Sequence, residues 1–202
     1  MGLLIGVIGI GLIGAAIWVA TRTPEGLADL NGNLVQLDPG TVPDAETLKK
    51  MDVVEDNGLR FKAPSVGLDV PLGEMSMVDS IITPPGLTSV YWVRNIGVGL
   101  DAAADGTVYV ATHSLRDGAT GPGNYLIDID ARRAAITRGA LITVGDLRYR
   151  VTGSREITKT ELPRARQVWV NRPRRLVVVT CLQRPEGEPS LQNVVIFARL
   201  VG

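Results

Sequence analysis

The chain has 202 residues with 21 acidic and 21 Lys or Arg side chains, so its formal net charge at pH 7 is zero. This balance gives no indication of a nucleic-acid-binding protein, which carries a basic patch or stripe. The single cysteine excludes an intramolecular disulfide, a CxxC redox pair and a zinc site built from several thiolates.

The first predicted element is an apolar segment at the N-terminus. Residues 3–20 contain only Gly, Leu, Ile, Val, Ala and Trp. A helix needs about 20 apolar residues to cross a bilayer, and Trp18 is placed for the membrane interface. A cleaved signal peptide would have a basic start and a shorter apolar stretch. We therefore predict a transmembrane anchor over residues 1–22, whose orientation the flanking charges do not decide.

The same segment contains a GxGxxG pattern at residues 9–14. A dinucleotide site needs this pattern between a strand and a helix of a βαβ unit. Inside an apolar run, small residues instead favour close helix packing in a membrane. We predict no cofactor and no metal site.

Residues 23–58 are polar and rich in turn formers, and they predict either a stalk or a lid over the domain that follows. Within them, residues 44–51 predict a short helix. Asp44 is its expected cap, Glu46 lies in its first turn, and Lys49 and Lys50 lie near its C-terminal end, in agreement with the helix dipole.

From residue 59 onward, short β-type runs alternate with turn signals. The predicted strands cover residues 59–62, 66–70, 107–113, 141–144, 147–152, 154–158, 168–170, 175–181 and 193–201. Gly145 and Asp146 predict a tight hairpin between two of them. No long amphipathic helix pattern intervenes, which disfavours parallel βαβ architecture. We therefore predict a mainly β domain, an antiparallel barrel or sandwich.

Two strand ends carry the reactive side chains. His113, the only histidine, closes the run that begins at Thr107, and Cys181 closes the run that begins at Leu176. Taken singly, each fits a structural role, as a buried filler or a satisfied histidine. Together, a thiol that acts as thiolate and an imidazole that exchanges protons near neutral pH indicate a cysteine-based active site. We predict that both are catalytic.

The surroundings of these residues resemble the sortases, cysteine transpeptidases of Gram-positive bacteria, and most of all the actinobacterial types (class E/F). Residues 109–114, YVATHS, are similar to the strand that leads to the catalytic histidine of that family. Residues 176–181, LVVVTC, are similar to its T-L-x-T-C box, with Val177 in place of the first threonine. Residues 195–200, VIFARL, are similar to the strand that carries its arginine, and residues 63–71 to its first barrel strands. The likeness covers roughly residues 60–202.

The resemblance implies a closed antiparallel β-barrel of about eight strands over residues 59–202, behind the N-terminal anchor that the family commonly has. It implies that Cys181 attacks a backbone carbonyl to give a thioacyl enzyme, and that His113 exchanges protons with the leaving and incoming amines. Arg199 would stabilise the oxyanion or position the substrate.

The implied donor is a C-terminal sorting signal of a secreted protein. The implied acceptor is an amine of a cell-wall precursor or a pilin. The location follows as the plasma membrane, with a single span and an extracellular catalytic domain. Two alternatives stay open: a cysteine peptidase of the same fold that releases its product to water, and a non-catalytic anchored β-domain.

Arg184 competes with Arg199 for the third role, because it also follows Cys181 in the chain. Arg199 is preferred, since strands hold a site more precisely than loops. Thr180 and Arg184 are the candidates for substrate binding. A cluster of arginines before the cysteine strand predicts a solvated face, with contact to an anionic precursor or membrane surface as the weaker interpretation. Its members are Arg164, Arg166, Arg172, Arg174 and Arg175.

Overall fold

The computed structural model describes residues 27–35, 37 and 41–201. The predicted anchor, residues 1–22, lies outside the described residues. Within the described ranges, no helix combines the length and the apolar character needed to cross a membrane.

Helix α1, Ala45–Met51, confirms the helix predicted over residues 44–51. The Asp44 carboxylate accepts a hydrogen bond of 2.8 Å from the backbone N–H of Thr47, and Lys50 pairs with Glu46 at 2.8 Å. The first bond satisfies an otherwise free N–H of the first turn. The helix ends in Met51, which is buried against the outer face of the sheet described below.

The segment before α1 is attached to the folded domain through Asp29, which is 2% exposed. Its carboxylate accepts hydrogen bonds of 2.9 Å from the backbone N–H groups of Thr120, Asn31 and Asn33. These bonds hold the pKa of Asp29 below its ordinary value, and the bond from Thr120 has the largest effect. This part of the predicted stalk or lid therefore packs on the loop that contains Thr120.

Ten strands follow in chain order. They are β1 (Val54–Ala63), β2 (Leu68–Met75), β3 (Val90–Val93), β4 (Thr107–Ala111), β5 (Ile127–Asp128), β6 (Arg133–Ala134), β7 (Leu141–Val144), β8 (Leu147–Thr158), β9 (Arg175–Leu182) and β10 (Gln192–Val201). Eight of them close a barrel in the order β1-β2-β3-β4-β9-β10-β8-β7, and β7 pairs with β1. The pair β5–β6 forms a separate two-stranded sheet.

The barrel is mixed, so the prediction of a wholly antiparallel barrel is wrong. Strand β2 pairs with β3 in parallel, and β4 pairs with β9 in parallel. Parallel neighbours need a long crossover, which is usually a helix. Here the crossovers consist of loops, short helices and the β5–β6 sheet, so the helical pattern expected of a parallel sheet is absent from the sequence.

The strand predictions are correct for most of the barrel, with three exceptions. Strand β3 was not predicted. The two strands predicted over 147–152 and 154–158 are one strand, β8, whose pairing with β10 shifts register near Gly153. The strand predicted over 168–170 is wrong, because helix α2, Arg166–Trp169, occupies that place. The hairpin at Gly145 is confirmed, with φ of 58° at the glycine.

Two apolar clusters lie on the two faces of the barrel wall. The inner cluster draws on all eight strands and includes Leu176 and Val178 of β9. The outer cluster covers part of the outside and includes Val177 of β9 with Val168 of α2. Because side chains alternate along a strand, odd-numbered residues of β9 face outward and even-numbered residues face inward. This alternation decides which residues share a face with Cys181.

Candidate active site

Cys181 is the penultimate residue of β9 and belongs to its outward-facing set. The antiparallel partner of Cys181 is Asn193, in the second position of β10. Residues directly opposite each other in an antiparallel pair place their side chains on the same face, with Cβ atoms about 4.5–5.5 Å apart. The thiol and the Asn193 amide are therefore neighbours on the outer face.

His113 reaches the same level from the other side of β9. The parallel register pairs Ala111 with Val179, and it is continued by a bond of 3.1 Å from the N–H of Thr112 to the carbonyl of Val179. Two residues further along each chain, His113, just past the end of β4, stands level with Cys181 of β9. A bond of 2.7 Å from Ser114 Oγ to the Cys181 carbonyl ties the two chain segments at this point.

His113, just past the end of β4, thus forms one row with Cys181 of β9 and Asn193 of β10, which we call the His–Cys–Asn row. Three further rows lie behind it on the outer face: Ala111, Val179 and Val195; Tyr109, Val177 and Phe197; Thr107, Arg175 and Arg199. The rows between the first and the last are apolar or aromatic. Polar chemistry on this face is therefore divided between its two ends.

The imidazole of His113 is buried, at 7% exposure, and one of its nitrogens has a defined partner. Nε2 lies 2.8 Å from the carbonyl oxygen of Pro84. A carbonyl oxygen only accepts, so Nε2 carries the proton and Nδ1 is the basic nitrogen of the neutral ring. Burial lowers the pKa of His113, the Pro84 carbonyl opposes this in part, and the positive charge of Lys159 lowers it further. The resting imidazole is neutral near pH 7.

Hydrogen bonds from neighbouring residues fix the backbone around His113 and Ser114. Gln183 donates from Nε2 to the carbonyl of Ser114 at 2.7 Å and to its Oγ at 3.1 Å. The N–H of Gly123 donates to the carbonyl of His113 at 2.8 Å. A Cβ at position 123 would lie 2.7 Å from that carbonyl oxygen, so only glycine fits against the histidine backbone. These contacts position His113 relative to β9.

Arg199 is not brought to Cys181. It pairs with Arg175 on β9 and with Arg150 on β8, in the last row of the outer face. Asn193 and Arg199 are six positions apart on one strand, which corresponds to about 20 Å at roughly 3.3 Å per residue. Arg199 therefore lies at the opposite end of the face from the thiol.

The two substrate-binding candidates also lie apart from the thiol. Thr180 alternates to the inner side of the barrel wall, where it is 2% exposed and its Oγ1 has no hydrogen-bond partner within the described ranges. Arg184 follows the end of β9, and its guanidinium pairs with the carboxylates of Glu188 and, at 3.9 Å, Glu186. Neither shares the Cys181 face through strand geometry.

Asn193 and Lys159 are the site residues that the sequence analysis missed. Asn193 is identified only by the register of β10 against β9, and that register depends on the length of the loop between them. Lys159 follows β8, and its N–H donates to the carbonyl of Leu191 at 2.9 Å, next to β10. No signal in the sequence places either residue near Cys181. Across the part of the chain that is described, no cluster of His, Cys, Asp and Glu is suited to hold a metal ion.

Comparison with known proteins gives the fold. No family model and no curated protein matches the chain. Among solved structures, sortase C1 from Streptococcus suis matches with a TM-score of 0.50 and 10% identity, over 78% of this chain and 78% of that chain. Sortase A of Listeria monocytogenes matches with a TM-score of 0.49 and 18% identity, over 74% of this chain and 88% of that chain.

A pilus-related sortase C of group B Streptococcus matches with a TM-score of 0.49 and 11% identity, over 87% of this chain and 79% of that chain. The Streptococcus suis match, together with the closed eight-stranded mixed barrel, identifies the architecture. The chain has the sortase fold.

Proposed function

We propose that this protein is a sortase-like cysteine transpeptidase with Cys181 as nucleophile and His113 as its proton carrier. The observation that supports the proposal is the His–Cys–Asn row, in which the only cysteine and the only histidine stand level where the neighbouring parallel strands β9 and β4 end. The neutral imidazole has a free basic nitrogen, Nδ1, which suits it to accept the thiol proton.

In the first half-reaction, His113 takes the proton of the Cys181 thiol, and Sγ forms a bond to a substrate carbonyl carbon. The C–N bond then breaks, and the leaving amine takes the proton from the imidazolium. In the second half, an incoming amine gives its proton to His113 and attacks the thioester. The Cys181 thiolate leaves and regains the proton. Arg199 is given no step, because it lies about 20 Å from this row at roughly 3.3 Å per residue.

The donor in this proposal is the C-terminal sorting signal of a secreted protein, and the acceptor is an amine of a cell-wall precursor or pilin. In the test, full-length protein is incubated with a library of sorting-signal peptides, with and without a small amine acceptor. We expect a thioacyl adduct on Cys181 by mass spectrometry, ligated product when amine is present, and no adduct for Cys181→Ala. Identical hydrolysis with and without amine would instead identify a peptidase. Absence of any adduct on folded protein would leave a non-catalytic domain.

The proposal also locates the protein in the plasma membrane, anchored by residues 1–22, with the barrel outside the cell. Because Cys181 is the only cysteine and is partly exposed, one thiol reports the location. A membrane-impermeant maleimide should label Cys181 in intact cells. Labelling that requires cell lysis would contradict the extracellular location.

A further inference from the structure

The polar neighbours of Cys181 on its own face are few. Along β9, the preceding outward residue is Val179, and the diagonal neighbour on β10 is Val195, both apolar. On the β4 side, the level position is His113, which has the proton-transfer role proposed above. The remaining side chain directly beside the thiol on a flanking strand is Asn193.

Asn193 is 8% exposed, and no hydrogen bond of its side-chain amide is found within residues 27–35, 37 and 41–201. Asn193 is not among the residues whose unpartnered polar side-chain atoms are fully buried, so its amide reaches the surface through the exposed fraction of the residue. Its neighbour on β8 is Ile157, which offers no polar atom. The amide is therefore beside the thiol, open to the surface, and without a hydrogen-bond partner among the described residues.

The electrostatic surroundings also favour negative charge at this point. Lys159 stands next to the start of β10, and its positive charge is felt at His113 on the far side of β9. The carboxylates of the nearby loop, Glu186 and Glu188, are engaged by Arg184. An oxygen that gains negative charge near Cys181 would lie beside an amide donor, in a region where the positive charge of Lys159 acts on His113.

We infer that Asn193 is a catalytic residue whose Nδ2–H donates a hydrogen bond to the carbonyl oxygen of the acyl group that Cys181 attacks. This inference rests on the proposed acyl transfer at Cys181. When Sγ bonds to the carbonyl carbon, the π electrons of the C=O bond move to oxygen, and that oxyanion accepts the bond from Nδ2. When the tetrahedral species collapses, the electrons return and the C–N bond breaks. The amide gives up no proton.

Asn193 can be tested with small reagents, without knowledge of the peptide substrate. Acylation of Cys181 by p-nitrophenyl acetate passes through an oxyanion, whereas alkylation by iodoacetamide does not. In Asn193→Ala, we expect the ester rate to fall about 10²-fold, the loss typical of one oxyanion donor, and the alkylation rate to stay within about twofold. Asn193→Asp should lose at least as much, because a carboxylate only accepts and repels the oxyanion.

Gln192→Ala is the matched control. Gln192 carries the same amide one position earlier on β10 and alternates to the other side of the strand. Its variant should leave the ratio of ester rate to alkylation rate unchanged. Thermal unfolding of each variant shows whether the barrel is intact.

The inference is overturned if wild type and Asn193→Ala show the same ratio of ester rate to alkylation rate. It is also overturned if Gln192→Ala lowers the ratio as much as Asn193→Ala does. Either result leaves the proposed transpeptidase open, since that depends on the peptide adduct of Cys181. Conversely, a missing peptide adduct with a lowered ratio in Asn193→Ala removes the proposed substrate class and keeps the role of Asn193 in acyl transfer.

Discussion

The two ends of the outer face of strands β4, β9 and β10 are polar, and they differ in how their polar groups are satisfied. At the end that holds Arg175 and Arg199, Arg175 donates to the carbonyls of Val170, at 3.0 Å, and Gln167. Its guanidinium also lies 4.8 Å from the ring centroid of Phe197. In the same region, the backbone N–H of Thr107 donates to Asn171 Oδ1, and Thr107 Oγ1 donates to the carbonyl of Arg172 and accepts from its N–H.

The end that holds the His–Cys–Asn row is the opposite in this respect. Among the described residues, the imidazole of His113 has one hydrogen bond, to the Pro84 carbonyl, and the side chain of Asn193 has none. Close to Cys181 in the chain, the buried atoms Thr180 Oγ1 and Gln183 Oε1 also lack hydrogen-bond partners within the described ranges. A satisfied polar cluster stabilises a fold, whereas an unsatisfied one is available to a ligand. The comparison favours a structural role for the first end and agrees with the chemistry proposed for the second.

The largest expected effect is on activity, at the unsatisfied end. His113→Gln keeps an N–H that can bond the Pro84 carbonyl but removes the base that we propose accepts the thiol proton. We expect acylation of Cys181 by substrate to fall by about 10²- to 10⁴-fold, the usual worth of a general base. Single-turnover formation of the thioacyl enzyme measures it. A loss of less than tenfold would mean that another group carries the proton.

The next effect is on stability, at the satisfied end. Arg175→Ala removes two hydrogen bonds to backbone carbonyls and the contact with Phe197. We expect unfolding free energy to fall by about 2 kcal/mol, since bonds from a charged donor are worth roughly 1.5–3 kcal/mol each and Arg175 is only partly buried. Urea unfolding measures it.

Arg148→Ala is the control for Arg175→Ala. Arg148 is an exposed arginine of β8, and its side chain forms no hydrogen bond with any described residue. Its removal should change the free energy by less than about 0.5 kcal/mol. Equal losses of unfolding free energy in Arg175→Ala and Arg148→Ala would show that the contacts of Arg175 do not stabilise this end of the face.

The dependence of stability on pH separates the two ends again. Burial first, and then Lys159, hold the pKa of His113 below its ordinary value of 6.5. The unfolded chain therefore binds a proton at a higher pH than the folded chain does. Stability is full above pH 6.5 and is lost as the pH falls from 6.5 toward the folded pKa, with a slope of up to about 1.4 kcal/mol per pH unit.

His113→Gln should flatten this slope, and Arg175→Ala should leave it in place. Urea unfolding between pH 6.5 and about pH 5 tests both variants. The aspartates with lowered pKa, such as Asp29 and Asp69, titrate below their ordinary value of 3.8 and act outside this window. The same slope in wild type and His113→Gln would contradict the origin of the acid dependence.

The smallest expected effect tests whether Arg199 belongs to the far end. Arg199 is exposed, and its register partners on the two neighbouring strands are Arg175 and Arg150. Arg199→Ala should therefore lower the free energy of unfolding by no more than about 0.5 kcal/mol. Thioacyl formation should change by less than about twofold, in contrast to Asn193→Ala. Loss of activity in Arg199→Ala with intact folding would break the division between the two ends.

Much of the fold, and the position of His113 and Cys181 near the ends of two neighbouring strands, were predictable from the sequence. The runs that end at His113 and Cys181 are uninterrupted β-type segments followed by polar loops, and the structure has β4 and β9 in those places. The Asp44 cap and the Gly145 hairpin have local chemistry that needs no partner. Such features are predictable because neighbouring residues determine them.

The register of β10 was not predictable in this way. Residues 194–198 are buried or partly buried on both faces of the barrel wall, so their apolar run has no alternation that reveals its phase. Which residue faces Cys181 is decided by the loop between β9 and β10, and this makes the partner Asn193 instead of an arginine. The parallel pairs were missed for a similar reason, since strand direction depends on crossovers whose path the local sequence does not encode.

The parallel pairing of β4 with β9 links reactivity to complete folding. Ser114 and the Cys181 carbonyl that it binds are 67 residues apart in the chain, and β10 must then close on β9 before Asn193 stands beside the thiol. Contacts of such long range form at a high cost in chain entropy and favour slow folding. The rate at which Cys181 gains ester reactivity during refolding therefore reports barrel closure, and partly folded chains should carry an ordinary, unselective thiol.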